Sequence, residues 1–279
     1  NSSVCPSVSA TRDLTFTNTT TNTASAVVWL QTNGTDGATN NVIKNCNIAG
    51  NSGTTTLIGI GSGNSGISIT SSGTGNHNNT FLNNNISKTQ YGIYSQGSSG
   101  TKNNGTVISK NVINTVAPNN VGKGGIFVGY ENNITISGNV ISEIAQATAV
   151  DVFGISLGIA VNGFTSTTTS GNEVTNAVVT KNIIGNVIQS AVLSAVGIGV
   201  APATSGTNLI GNNIIYGVAA NSTTTEVAAG ILLAGGAGST TQVYGNTVQM
   251  QGTITGATAA NQTSACLAVT TTTPPTLDV

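Results

Sequence analysis

Short β-branched runs alternate with polar residues along almost the whole chain, and asparagine and glycine punctuate the alternation. In the stretch 132–144, NNITISGNVISEI, Ile134 and Ile136 precede Asn139, and Ile141 and Ile144 follow it. The unit can be written as a β-apolar residue, two residues, Asn, one residue, Ile or Val. It fits Phe81/Asn84/Ile86, Ile108/Asn111/Ile113, Ile136/Asn139/Ile141, Val179/Asn182/Ile184, Ile210/Asn213/Ile215 and Val243/Asn246/Val248. A seventh copy, Ile43/Cys46/Ile48, has Cys in the Asn position. A second element follows most copies: a Gly and then alternating apolar residues, as in GIYS from Gly92, GIFV from Gly125, GISL from Gly154, GIGV from Gly197 and GILL from Gly230. The segments are too short, too β-branched and too strictly alternating for helices.

Successive Asn positions lie 27 to 43 residues apart. A constant short unit with variable spacers predicts a solenoid whose strands stack and whose insertions leave at the corners. Asn tolerates left-handed backbone and its amide can bond the main chain, so it is expected to turn the corner between two strands. Stacked along the axis, Asn84, Asn111, Asn139, Asn182, Asn213 and Asn246 would form a hydrogen-bonded ladder. The expected organisation is a lead-in over 1–13, a solenoid over 14–269 and a Thr/Pro-rich linker or tail over 270–279.

The pattern I-x-x-N-x-I followed by G-I-x-V resembles the repeats of right-handed parallel β-helix proteins of the pectate-lyase-like kind, over roughly 14–269. The resemblance implies an all-β fold, a right-handed three-sheet parallel β-helix of about eight layers with an Asn ladder. At about 4.8 Å per layer that is a rod about 40 Å long. It is weak for function, because proteins of this kind include lyases, hydrolases, tailspikes and adhesins. The Asn/Thr-rich, charge-poor composition is similar in style to large secreted bacterial surface proteins.

Charge narrows the picture. Only 5% of residues are charged, and the formal net charge is −1. Nucleic acid needs clustered Lys and Arg, and a membrane surface needs a polybasic patch; neither is present. No apolar run is long enough to insert in a membrane. A chain opening at Asn1 without Met reads as a processed form, and the expected location is extracellular or on a cell surface. Cys5, Cys46 and Cys266 are an odd set. A Cys5–Cys46 disulfide and three small thiols are both open.

Candidate chemistry is sparse. The resemblance places catalytic groups on the outer face of the Gly-Ile sheet. Side-chain parity there predicts an outward stripe of Trp29, Gly59, Tyr94, Phe127, Ser156, Gly199, Leu232 and Ala268, with no acid, base or cation. Trp29, Tyr94 and Phe127 form a candidate sugar-stacking surface unless insertion loops cover them. Of the eight acids, Glu131, Glu143 and Asp151 are the only plausible cluster. A single histidine, His77, and the absence of CxxC give no zinc site, and no metal or cofactor is expected. GSGNSG at 61–66 lacks the GK[ST] of a phosphate loop. Lys110 and Lys181 read as surface charges. The function expected is a non-enzymatic structural or adhesive segment, with flanking domains or further copies of itself end to end, and surface glycans, as partners. The rival is a polysaccharide lyase or glycoside hydrolase, which needs a basic proton abstractor with Ca²⁺ ligands, or paired carboxyl groups.

Overall fold

The computed structural model describes residues 11–165, 173–220, 226–250 and 263–279. Among these residues there is no helix, and the strands form three parallel sheets of eight strands each. Each turn of chain gives one strand to each sheet, so the protein is a right-handed three-sheet parallel β-helix of about eight layers. Sheet I runs from Val42–Lys44 to Thr276–Asp278, sheet II from Leu14–Thr17 to Thr247–Gln249, and sheet III from Ala26–Gln31 to Thr263–Val269. A small parallel pair, Asn103–Asn104 with Glu131–Asn132, bridges the corner after sheet III.

The repeat dictates the core. In sheet I, Phe81, Ile108, Ile136, Val179, Ile210 and Val243 stand in one column. In sheet II, Ile141, Ile184, Ile215 and Val248 align. In sheet III, Ile60, Ile93, Ile126, Ile155, Ile198, Ile231 and Leu267 align. These columns meet inside as one continuous apolar cluster. Like residues stacked on like residues let each layer bury a face that no single layer could bury alone.

The Asn ladder lies at the corner between sheets I and II. Asn139 Nδ2 donates to Asn182 Oδ1 at 2.9 Å and to the Ile108 carbonyl at 3.0 Å. Its own Oδ1 accepts Asn111 N at 2.9 Å and Asn111 Nδ2 at 3.0 Å. The same pattern links Asn84 to Asn111, Asn182 to Asn213 and Asn213 to Asn246. Cys46 begins the run by donating its backbone N–H to Asn84 Oδ1. Each side-chain oxygen serves the layer before it, so the first position can lack one.

The corner differs from the expectation in one respect. The left-handed residue is not the ladder Asn but the one before it: Asn45, Asn83, Lys110, Gly138, Lys181, Asn212 and Gly245 all have φ between 53° and 66°. The Asn keeps ordinary backbone and spends its amide inside. Lys110 and Lys181, expected as plain surface charges, therefore hold a backbone conformation that costs L-residues about 1 kcal/mol or more.

The Gly of G-I-x-V has a steric reason. A Cβ on Gly154 would lie 2.5 Å from Ile184 Cγ2 and 2.7 Å from the Gly197 carbonyl oxygen. Gly92, Gly125, Gly197 and Gly230 meet the equivalent Ile or Val and the next layer's carbonyl in the same way. The sheet II residue two places after each ladder Asn therefore fits against the glycine of the preceding turn.

The tail corrects another expectation. Thr276–Asp278 pairs with Thr240–Gln242 as a further strand of sheet I, so this part of the 270–279 stretch is joined to the solenoid. At the other end Arg12 ties the lead-in down, donating to the Asn83 carbonyl at 3.0 Å and to Asn83 Oδ1 at 2.9 Å. Cys5 lies outside the described residues. Cys46 is buried, its Sγ 3.1 Å from the Lys44 carbonyl, and burial pushes its thiol up.

Candidate functional site

The outer face of sheet III carries the expected stripe with one shift. Trp29 is level with Gly61, not Gly59, and Gly61 continues through Tyr94, Phe127, Ser156, Gly199, Leu232 and Ala268. Gly59 belongs instead to the close-packed glycine column. Gly61 and Gly63 are small because Trp29 lies over them: an added Cβ would come within 2.3 Å and 2.8 Å of its ring. The GSGNSG run is thus a seat for an indole.

The stripe is not a free binding face. Tyr94 and Phe127 are fully buried, and Trp29 is half-buried. Trp29 stacks on Tyr94 at 6.0 Å, Tyr94 meets Phe127 edge-on at 5.6 Å, and the row continues through Phe153 to Phe164. Trp29 Nε1 donates to the Asn64 carbonyl and Tyr94 Oη to the Ser71 carbonyl, so the loop after Gly63 is pinned over the rings. Rings flanked by a loop with its own apolar residues, Ile67 and Ile69, gain more by burial than by exposure, and a second apolar cluster forms outside the sheet.

The acids do not gather as the sequence suggested. Glu143 sits at a left-handed bend in sheet II, where its Oε1 accepts Asn186 Nδ2 at 2.6 Å. Glu131 is fully buried at the corner after sheet III. It accepts from Ser95 Oγ at 2.6 Å, Thr106 Oγ1 at 2.9 Å and Asn103 Nδ2 at 3.5 Å. Desolvation pushes its carboxyl up to about 7 against the pull of those three bonds. It ends a second polar column, in which Thr32 bonds Asn76 and Asn76 N bonds Asn103 Oδ1. His77 belongs to the same corner, where its Nδ1 accepts Asn104 N at 3.1 Å.

Asp151 has a partner that sequence reasoning missed. Its Oδ1 accepts Ser194 N and its Oδ2 accepts Phe164 N, each at 3.0 Å, while Ser194 Oγ lies 2.6 Å from Glu226 Oε2. Burial pushes Asp151 up to about 7, the two backbone bonds oppose this, and Glu226 adds to it. Both carboxyl groups are buried. Among the described residues no group of three or more potential metal ligands exists.

An open groove lies elsewhere. A groove of about 570 Å³ runs along the corner between sheets III and I, lined by Ser99, Lys102, Tyr130, Glu173, Pro202, Ala203, Thr204, Gly235, Gly236, Ala237 and Thr273. These residues come from successive layers, so the groove follows the rod axis. Lys102 Nζ donates to Thr175 Oγ1 at 2.5 Å. Desolvation lowers the Lys102 ammonium and the Glu173 carboxylate partly restores it. Tyr130, left-handed at φ 48°, is raised by desolvation and by Glu173. One cation, one anion, one phenol and small apolar walls make a near-neutral trough. Its residues fall in insertions of different length, so no fixed spacing marked them in the sequence. No family model, curated protein or solved structure matches this chain.

Proposed function

We propose that the chain is a non-enzymatic structural and adhesive β-helix segment of a secreted or cell-surface protein, engaging glycan through the groove at Tyr130. The observation that carries this reading is the covered outer face of sheet III. There, aromatic packing replaces acid–base groups, and the buried carboxyls of Glu131 and Asp151 are committed to hydrogen bonds within the fold. A groove of several hundred Å³ is ample for a chain-like ligand. Tyr130 offers a ring to a sugar face, and Lys102, Glu173 and Ser99 offer hydrogen bonds to hydroxyls. A near-neutral trough favours neutral glycan over polyanions. The partners proposed at the ends of the rod are flanking domains or further copies. The test is binding of neutral oligosaccharides by calorimetry, with Tyr130→Ala as the variant that abolishes it. Equal binding by the variant refutes the groove.

A second reading is a polysaccharide lyase. It rests on the desolvated amine of Lys102 in an open groove, a candidate proton abstractor. Release of unsaturated chain ends, lost in Lys102→Met, would establish it.

A further inference from the structure

The corner between sheets I and II carries a row of cations on its outer side. Its left-handed residues stack layer on layer as Asn45, Asn83, Lys110, Gly138, Lys181 and Asn212, each N–H bonding the end of the next sheet I strand. Lys44, beside Asn45, and Lys110 and Lys181 are exposed there at intervals of two layers, about 10 Å along the rod axis. The Lys110 stem leans along that axis: a Cβ on Gly138 would lie 3.7 Å from its Cγ. Arg12 fills the layer between Lys44 and Lys110, because its guanidinium is held on Asn83. Four of the seven Lys and Arg residues thus stand on one straight ridge. They are far apart in sequence, and only the stacking of layers brings them into line. Asp13 stands at one end of the row, level with Asn45, and Glu143 lies across sheet II with its carboxylate on Asn186.

The fold itself does not ask for these charges. Asn and Gly take the left-handed position in the other layers at less steric cost than Lys. Among the described residues, no partner holds the ammonium groups of Lys44, Lys110 and Lys181. A residue that breaks a local rule without structural return points to a functional position. We propose that this ridge binds a linear anionic polysaccharide laid along the rod axis, at a site separate from the groove at Tyr130. The ridge is convex, so it suits an extended chain better than a small anion. Its charges sit about one Debye length apart, so they scarcely repel one another at physiological salt, while a chain that touches all of them collects every contact. Nucleic-acid phosphates recur at about 3.4 Å per strand, far closer than the ridge interval, and the row contains no aromatic residue on which a base could stack. A polysaccharide with one charge per disaccharide recurs over two sugar rings, a length that matches two layers. Asn212, exposed in the same row, offers its amide to sugar hydroxyls.

The test is fluorescence anisotropy at low ionic strength with labelled hyaluronan oligosaccharides, which carry one carboxylate per disaccharide. Heparin fragments and duplex DNA are run alongside. The wild-type protein should bind hyaluronan, and the affinity should fall as salt is added. The double variant Lys110→Asn, Lys181→Asn places at both positions the residue that Asn45, Asn83 and Asn212 already provide, so the corner is kept. Its affinity should fall about tenfold. Lys88→Asn is the control: it has the same left-handed backbone and loses the same charge, but on the far border of sheet II. Its affinity should stay within about twofold of wild type. Heparin bound in place of hyaluronan, and lost in the same double variant, supports the ridge and assigns it a sulfated chain. Three results overturn the ridge: no binding of either polysaccharide, a double variant that binds like wild type, or a Lys88→Asn loss as large as that of the double variant. Tighter binding of duplex DNA than of either polysaccharide overturns the choice of partner.

Discussion

Asn139→Ala at the middle of the ladder removes four hydrogen bonds at once. The Asn111 amide N–H and the Ile108 carbonyl, both inside the corner, lose the partners that Asn139 gives them, and Asn111 Nδ2 and Asn182 Oδ1 each lose one contact. Each buried main-chain group left unpaired costs about 1–3 kcal/mol, and each further side-chain bond about 0.5–1.5 kcal/mol. The sum is about 3–9 kcal/mol, comparable to the whole stability of many domains. Asn114→Ala is the control, since Asn114 is exposed. Urea unfolding followed by circular dichroism should show a large fall in midpoint for Asn139→Ala and a change under about 0.5 kcal/mol for Asn114→Ala. Because each layer touches only its neighbours, the transition should also broaden or split at the weakened interface. A midpoint for Asn139→Ala within about 0.5 kcal/mol of the control would refute the claim that the ladder holds the corner.

Other substitutions test the remaining parts. Gly154→Ala forces a methyl against the Ile184 side chain and the Gly197 carbonyl, and should destabilise by about 1–3 kcal/mol, whereas Gly100→Ala, with nothing within 4 Å of the new atom, should be nearly neutral on thermal melting. Lys110→Gly and Lys181→Gly relieve left-handed backbone and add unfolded-state freedom, two effects of similar size, so each should leave the urea midpoint within about 1 kcal/mol of wild type. Glu131 has its carboxyl raised in the fold, so its contribution is fully present below about pH 4.5 and is lost as pH rises to about 7. Stability should fall by about 3 kcal/mol from this group between those limits. Glu131→Gln should flatten that part of the profile, and an unchanged slope would contradict the assignment.

Much of the architecture was legible because one short motif carries it. The residues flanking each Asn fixed the sheet I and sheet II columns, and the Gly-Ile pairs fixed sheet III. The left-handed site was misplaced by one residue, since Asn, Gly and Lys all occupy it and the shared feature is backbone geometry. The Gly59 and Gly61 alternatives look alike in sequence; only the packing of Ile86 on one and Trp29 on the other separates them. The tail escaped because Thr and Pro suggest a linker, while pairing with an existing sheet edge overrides that propensity. The polar column ending at Glu131, the Asp151–Ser194–Glu226 set and the groove join insertions of unequal length. Their contacts are set by stacking of layers, which no single-layer pattern encodes. The fate of Tyr94 and Phe127 turned on whether loops cover them, and the apolar residues of those loops were too few to decide it.

The claim that this rod binds glycan without cutting it is tested most directly by one capture experiment. The protein is immobilised, exposed to neutral oligosaccharides of defined length, and the retained material is eluted and sized by mass spectrometry. The account predicts retained chains of unchanged length on the wild-type protein and none on Tyr130→Ala. Shortened or unsaturated products from the wild-type column, or equal retention by Tyr130→Ala, would contradict it.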